Sequence, residues 1–291
     1  MANGKRLLFF DLLRIVSVAL IVFYHVAPRY GWSMPSNSAP LFNALYIYPG
    51  AIGVALLIFV SGAVLEYTHP RLESLAAVTG FYVKRLSRIY PAFWMSLIIA
   101  LTYAPALLRS LQPHILLLEF TGFCAFTGRW SGVINPIAWF IGLIVVLYFL
   151  FPFLSASIRE RPFLMLFLIA VIEISARYFF HVWYIPELGR WPDKWLPVCN
   201  FLEFGLGIWI VQNGFYPKWV HDSRVIGFLA EISFYVFLIH EVGGIFAMSK
   251  VSLPAYVIAV GLLSWLMMLG DQGVQVWLKK RLCVIRPEPQ R

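Results

Sequence analysis

Long apolar runs separated by short polar breaks dominate the chain. Crossing a bilayer's hydrocarbon core takes about 20 residues of helix, and runs of that length lie near residues 7–28, 43–66, 90–108, 136–157, 162–182, 196–213, 225–247 and 253–277. The pattern predicts eight transmembrane helices. Between the third and fourth lies HILLLEFTGFCAFTG, residues 114–128, which is apolar but short and broken by glycine. Its length suits a re-entrant or interfacial segment, or half of an additional pair of spans.

Composition sharpens this picture. Of the 291 residues 60% are hydrophobic and only 13% charged, with a mean hydropathy of +0.77, which excludes an ordinary water-soluble domain. The net charge of +9 would suit a nucleic-acid partner, but the basic residues sit in short clusters between apolar runs, as topology signals do. No nucleic-acid partner is expected. With the N-terminus inside, fifteen of the 23 Lys and Arg fall in cytoplasmic segments, six in outer ones, and Arg14 and Arg177 within spans. Both termini are therefore expected to be cytoplasmic. Lys5 and Arg6 precede the first run as in a secretory signal, but Asp11, Arg14 and the lack of a small-residue cleavage site predict that it stays as a span. Short loops and the absence of an evident repeat place the function in the helix bundle. Cys124, Cys199 and Cys283 lie far apart with no nearby histidine, so neither a disulfide framework nor a metal site is expected.

The first run, FDLLRIVSVALIVFYHV (10–26), carries Asp11, Arg14 and His25. A charge at the bilayer centre costs roughly 2.5–3.5 kcal/mol or more, so such residues mark function. An offset of eleven residues returns to nearly the same helix face, about 16 Å further along the axis. Arg14 and His25 thus form one stripe, with the arginine in the inner half and the imidazole near the outer end. Asp11, three residues before Arg14, has the spacing to neutralise it. Spacing alone fits an inward-facing passage wall or a packing lock equally well.

FYVKRLSRIYPAFW (81–94) adds R-x-x-R-x-x-P through Arg85, Arg88 and Pro91. Guanidinium forks suit phosphate oxygens; a topology signal bound to lipid headgroups is the plainer alternative. Elsewhere, Glu173 and Arg177 are spaced as a packing pair. Glu203 has no partner by spacing, so it either contacts Arg14 or sits buried or at the lipid interface. Ser61 beside Gly62 suits helix packing, and Trp139 and Tyr148 suit packing or interfacial anchoring. His69, His114, His181 and His221 carry no distinguishable signal.

R-x10-H in the first run followed by R-x-x-R-x-x-P resembles the acyltransferase-3 family of membrane-bound acyltransferases, which includes O-acetylases of lipopolysaccharide and peptidoglycan. Further elements follow in that family's order: GVALLIFVSG (53–62), AWFIGLIVVLYFLFP (138–152) and EISFYVFLIH (231–240), the last ending in His240. Two departures stand out. Ile144 and Val145 occupy places where many members carry acids, and Ala55 stands where Asp is frequent, so no acid/base role transfers to those positions.

The resemblance implies an all-α, polytopic transmembrane helix bundle of about eight to ten spans. It implies a single integral-membrane acyltransferase domain over 1–291, with a basic cytoplasmic tail at 279–291, in a bacterial inner membrane. The implied reaction moves an acyl group, acetyl by the family's usual donor, from acyl-CoA in the cytoplasm to a hydroxyl of an extracytoplasmic sugar or glycan. No tightly bound cofactor is expected. Arg85 and Arg88 would hold the acyl-CoA phosphates, and Arg14 would position the donor or stabilise developing charge. His25 would act as general base or as a nucleophile forming an acyl-histidine; imidazole suits acid/base work near neutral pH. Asp11, Ser61, Trp139, Glu203 and His240 are supporting candidates. A transporter or flippase with a charged intramembrane pathway is the alternative.

Overall fold

The computed structural model describes residues 6–31, 49–127, 132–182, 196–242 and 252–285. Among these the fold is helical, and an isolated bridge between Leu7 and Val220 is its sole β pairing. The helices are α1 (Leu8–Val26), α2 (Pro49–Thr68), α3 (Leu75–Tyr103), the short α4 (Ala106–Ser110) and α5 (Pro113–Thr121), α6 (Ala138–Glu160), α7 (Pro162–Val182), α8 (Phe201–Gln212), α9 (Arg224–Ile239) and α10 (Leu253–Ile285). Each apolar run of the sequence carries one of them. By length and hydropathy, five of the described helical segments can cross a membrane: Leu8–Tyr30, Pro49–Thr68, Ala138–Glu160, Pro162–Phe180 and Leu253–Arg281. The chain is an all-helical membrane protein. Consistently, α7 turns Phe163, Phe167, Ile174 and Tyr178 outward, a surface suited to lipid rather than water.

Three boundaries differ from the sequence expectation. The third helix is not confined to 90–108 but begins at Leu75, where the Ser74 hydroxyl accepts from the Ala77 N–H at 3.1 Å; Lys84, Arg85, Arg88 and Pro91 all lie inside it. The 114–127 stretch forms no spanning helix: α5 ends at Gly122, whose φ of +80° is the left-handed cap a glycine adopts without strain, and a 3-10 turn follows. α10 runs past the expected span end at 277 to Ile285, so residues 279–285 of the basic segment are helical. The expected ends at 43–48, 243–247 and 286–291 lie outside the described residues.

Small residues let the helices close on one another, as they do in membrane bundles. On α2, Gly53 faces the Ser17 carbonyl and Ile21 of α1, while Gly62 faces the Phe204 carbonyl of α8. Gly207 of α8 faces the Phe59 carbonyl in return. The helices α1 and α9 lie side by side in the same direction. Their starts are joined by the Leu7–Val220 bridge and by the Leu8 N–H donating to the Trp219 carbonyl at 2.8 Å. At their far ends the His25 and His240 rings meet, centroids 5.4 Å apart. Buried Asn135 fastens the turn before α6 to α3 and α9, donating to Ser96 Oγ at 2.9 Å and to the Leu238 carbonyl at 3.0 Å.

Candidate active site

On α1, Arg14, Val18, Ile21 and His25 follow one another at steps of four, three and four, which keeps them on one helix face. Val18 and Ile21 are buried in the core, so this face turns into the bundle; Arg14 and His25 are half-buried at its two ends.

At the far end, His25 Nδ1 lies 2.5 Å from Glu241 Oε1. A carboxylate only accepts, so Nδ1 carries the proton and Nε2 of the neutral ring presents its lone pair. Glu241 stands just past the end of α9, after His240, and sequence reasoning missed it. No spacing rule links it to α1; only the parallel packing of α1 and α9 does. His240 itself is fully buried. Its Nδ1 donates to the Phe237 carbonyl at 2.7 Å, which leaves Nε2 a lone pair without a partner among the described residues.

At the near end three guanidiniums gather. Arg14 interacts electrostatically with Tyr148, Asp11, Arg6 and Arg88, and Arg85 with Tyr148, Arg14 and Arg88. Arg85 Nη2 donates to Thr68 Oγ1 and to His69 Nδ1, each at 3.1 Å, while its buried Nε has no partner. Arg88 reaches Glu231 Oε1 at 3.7 Å. Asp11 acts on Arg14 through its charge, as its spacing suggested, while its carboxylate makes its direct contacts with Arg6 Nε at 2.8 Å and His221 Nε2 at 2.9 Å. The loop carrying His221 is pinned against the start of α1 and outcompetes the local spacing for direct contact, and among the described residues Arg14 has no ion-pair partner. The result is an excess of cationic charge over carboxylate, a setting suited to phosphate.

In the turn after α2, burial and then the charges of Arg85 and Lys84 push the His69 imidazole down to about 4. The geometry agrees, because Arg85 can only donate and His69 Nδ1 must accept. His69 also borders a cavity of about 370 Å³ lined by Arg71, Phe151, Ser155, Arg159 and Glu160 among others. Two of its lining side chains hold the buried Glu66 carboxylate, which accepts from Ser155 Oγ at 2.6 Å and pairs with Arg159.

The remaining candidates fall elsewhere. Ser61 Oγ donates to the Leu57 carbonyl at 2.8 Å, a bond within its own helix. Trp139 packs edge-on against Phe140. Glu203 does not reach Arg14; it stands 3.6 Å from Arg177 Nη2, whose Nε holds Glu173 at 3.0 Å. Glu173 in turn accepts the Leu202 N–H at 2.8 Å, tying α7 to α8. Cys124 and Cys199 are buried.

One inward-facing helix of this membrane protein thus carries a carboxylate-held imidazole at one end and a guanidinium cluster at the other. The acyltransferase-3 family profile, described as an acyltransferase domain, matches residues 7–280. The chain belongs to that family. It is also 32% identical over 88 residues to nodulation protein 10 of Rhizobium leguminosarum bv. viciae, a match covering 30% of this chain and 22% of that protein. The shared stretch thus spans about a fifth of the relative's length. No solved structure matches.

Proposed function

We propose that the protein transfers an acyl group, acetyl by the family's usual donor, from acyl-CoA at the cytoplasmic face to a hydroxyl of a sugar or envelope glycan on the other side of a bacterial inner membrane. The observation that carries this reading is the pairing of opposite chemistries along one face of α1. Under-paired guanidiniums at one end suit the donor's phosphates, and an oriented imidazole at the other suits proton transfer. An unpaired cation such as Arg14 inside a bundle is costly, and an anionic donor offsets that cost on binding. The cavity beside His69 gives the nucleotide end room next to Arg85. The slender pantetheine arm then follows α1, whose two polar residues are about 16 Å apart along the axis.

In the transfer step the acceptor oxygen attacks the thioester carbonyl while His25 Nε2 takes its proton. The new C–O bond forms, the C–S bond breaks, and the departing thiolate recovers the proton from the imidazolium. Glu241 holds the ring in the productive tautomer and stabilises its cation, a role carboxylates fill beside catalytic histidines on unrelated folds. Arg14, at the guanidinium end of that face, positions the donor.

A carrier would need Arg14, Glu173, Arg177 and Glu203 along one route. The last three instead pair with one another between α7 and α8, which favours the enzyme. Purified protein in detergent distinguishes the two: CoA raises the melting temperature, and acetyl label moves from acetyl-CoA to a glycan from an envelope panel. A protein that CoA leaves unshifted and that transfers nothing overturns the proposal.

A further inference from the structure

Beyond its part in transfer, the far end of α1 has the make-up of a metal site. We propose that His25, His240 and Glu241 bind a divalent transition ion of the zinc type, and that the bound ion holds the acyltransferase in an inactive state. The binding stands on the side-chain cluster alone; the inactivation rests on the acyl-transfer reading.

One donor atom from each of the three residues lies within 4.8 Å of the other two. Tetrahedral zinc with bonds of about 2.0–2.1 Å separates its ligand atoms by about 3.3 Å. Side-chain rotation of His25 and Glu241 can close that gap, because their side chains are 29% and 15% exposed and are not locked by packing on every side. The same exposure gives an ion a way in.

His240 supplies the independent observation. Its side chain is wholly buried, yet among the described residues Nε2 has no hydrogen-bond partner. A buried polar atom left without a partner is unfavourable and calls for an explanation. Its other ring nitrogen donates to the Phe237 carbonyl, which is the arrangement metal-ligating histidines adopt: the second N–H is held by a carbonyl or carboxylate, so the tautomer and ring direction are set before the ion arrives.

Two imidazoles and one carboxylate select the ion. That donor set suits zinc, cobalt or copper, whereas magnesium and calcium favour oxygen ligands throughout. Three protein ligands leave a fourth position to water. An ion seated there takes the lone pair that deprotonates the acceptor hydroxyl, so binding and catalysis exclude each other. The sequence gives no hint of such a site because His25 and the His240–Glu241 pair sit near opposite ends of the chain.

The test uses the full chain in detergent, stripped with a chelator and titrated with zinc by calorimetry, with cobalt as a spectroscopic probe. The expected result is one equivalent of zinc per chain, a visible cobalt spectrum of tetrahedral type, and loss of acetyl transfer that chelation restores. Removing a ligand is expected to weaken binding by at least about tenfold, the scale seen even for the supporting partners of metal ligands. His240→Ala tests the buried ligand. Should that variant fail to fold, Glu241→Gln at the half-exposed position carries the same test. Absence of stoichiometric zinc binding, or equal affinity in wild type and Glu241→Gln, overturns the site. Those results with transfer intact leave the acyl-transfer reading standing; zinc bound by a chain that transfers nothing supports the site and removes that reading instead.

Discussion

His25 on α1 and Glu241 beyond the end of α9 meet at 2.5 Å between Nδ1 and Oε1, although the whole chain between them is needed to bring them together. The contact fixes which imidazole nitrogen is free. Glu241→Gln keeps the size of the side chain but removes the charge that steadies the imidazolium. Acyl transfer is expected to fall by about 10²-fold or more in kcat, within the usual range for general acid–base assistance, while KM for acyl-CoA stays near wild type. Steady-state kinetics with varied acyl-CoA checks this. A rise in KM alone would move Glu241 to donor binding.

At the other end, Arg85→Ala is expected to act on affinity. Charge-assisted hydrogen bonds contribute about 1.5–3 kcal/mol, so KM for acyl-CoA should rise by roughly ten- to a hundredfold with a smaller change in kcat. Arg85→Lys should recover part of the loss, since it restores a charge but not the planar fork. Unchanged KM in both variants would detach Arg85 from the donor.

The neighbouring His69 makes stability depend on pH with a definite sign. Its imidazole is held down to about 4 in the folded protein, against about 6.5 unfolded. Between these values the unfolded chain binds the extra proton, so stability falls as pH drops from about 6.5 to about 4 and levels off below. His69→Gln removes this contribution. Melting temperatures of wild type and variant across that window should therefore diverge, with wild type losing more on acidification; parallel curves would refute it.

The α2–α8 contact has no room for a side chain. A Cβ on Gly207 would fall 2.1 Å from the Phe59 carbonyl oxygen, which is backbone and cannot swing aside. Gly207→Ala is expected to force the helices apart at a cost of about 1–3 kcal/mol, typical of overpacking, read as a lowered melting temperature in detergent. Gly261, whose position is open, serves as the control: Gly261→Ala should not destabilise.

Much of the architecture was legible because a bilayer demands long apolar runs, and each such run carries a helix. The Arg14–His25 stripe was legible because helical periodicity alone puts both on the face shared by Val18 and Ile21. What escaped depends on distant parts of the chain. The start of α3 was missed since the charges of Lys84, Arg85 and Arg88 set the expected span's start after them, whereas the Ser74 cap and the buried Gly80, Phe81 and Ile89 carry the same helix back to Leu75. Asp11 acts on Arg14 through its charge, as local spacing suggested, but the loop bearing His221 lies against the start of α1 and takes the carboxylate in direct contact. Glu241 gave no signal, being a lone acid after a helix end whose partner is supplied by tertiary packing.

The account turns on the His25 imidazole as the group that moves the acceptor's proton. The most direct measurement compares wild type and His25→Ala, both purified in detergent and both shown to melt at a higher temperature with CoA, for acetyl label passed from acetyl-CoA to acceptor glycan. The account predicts that the variant keeps the CoA-induced shift and loses transfer. Transfer at the wild-type rate by His25→Ala would contradict it.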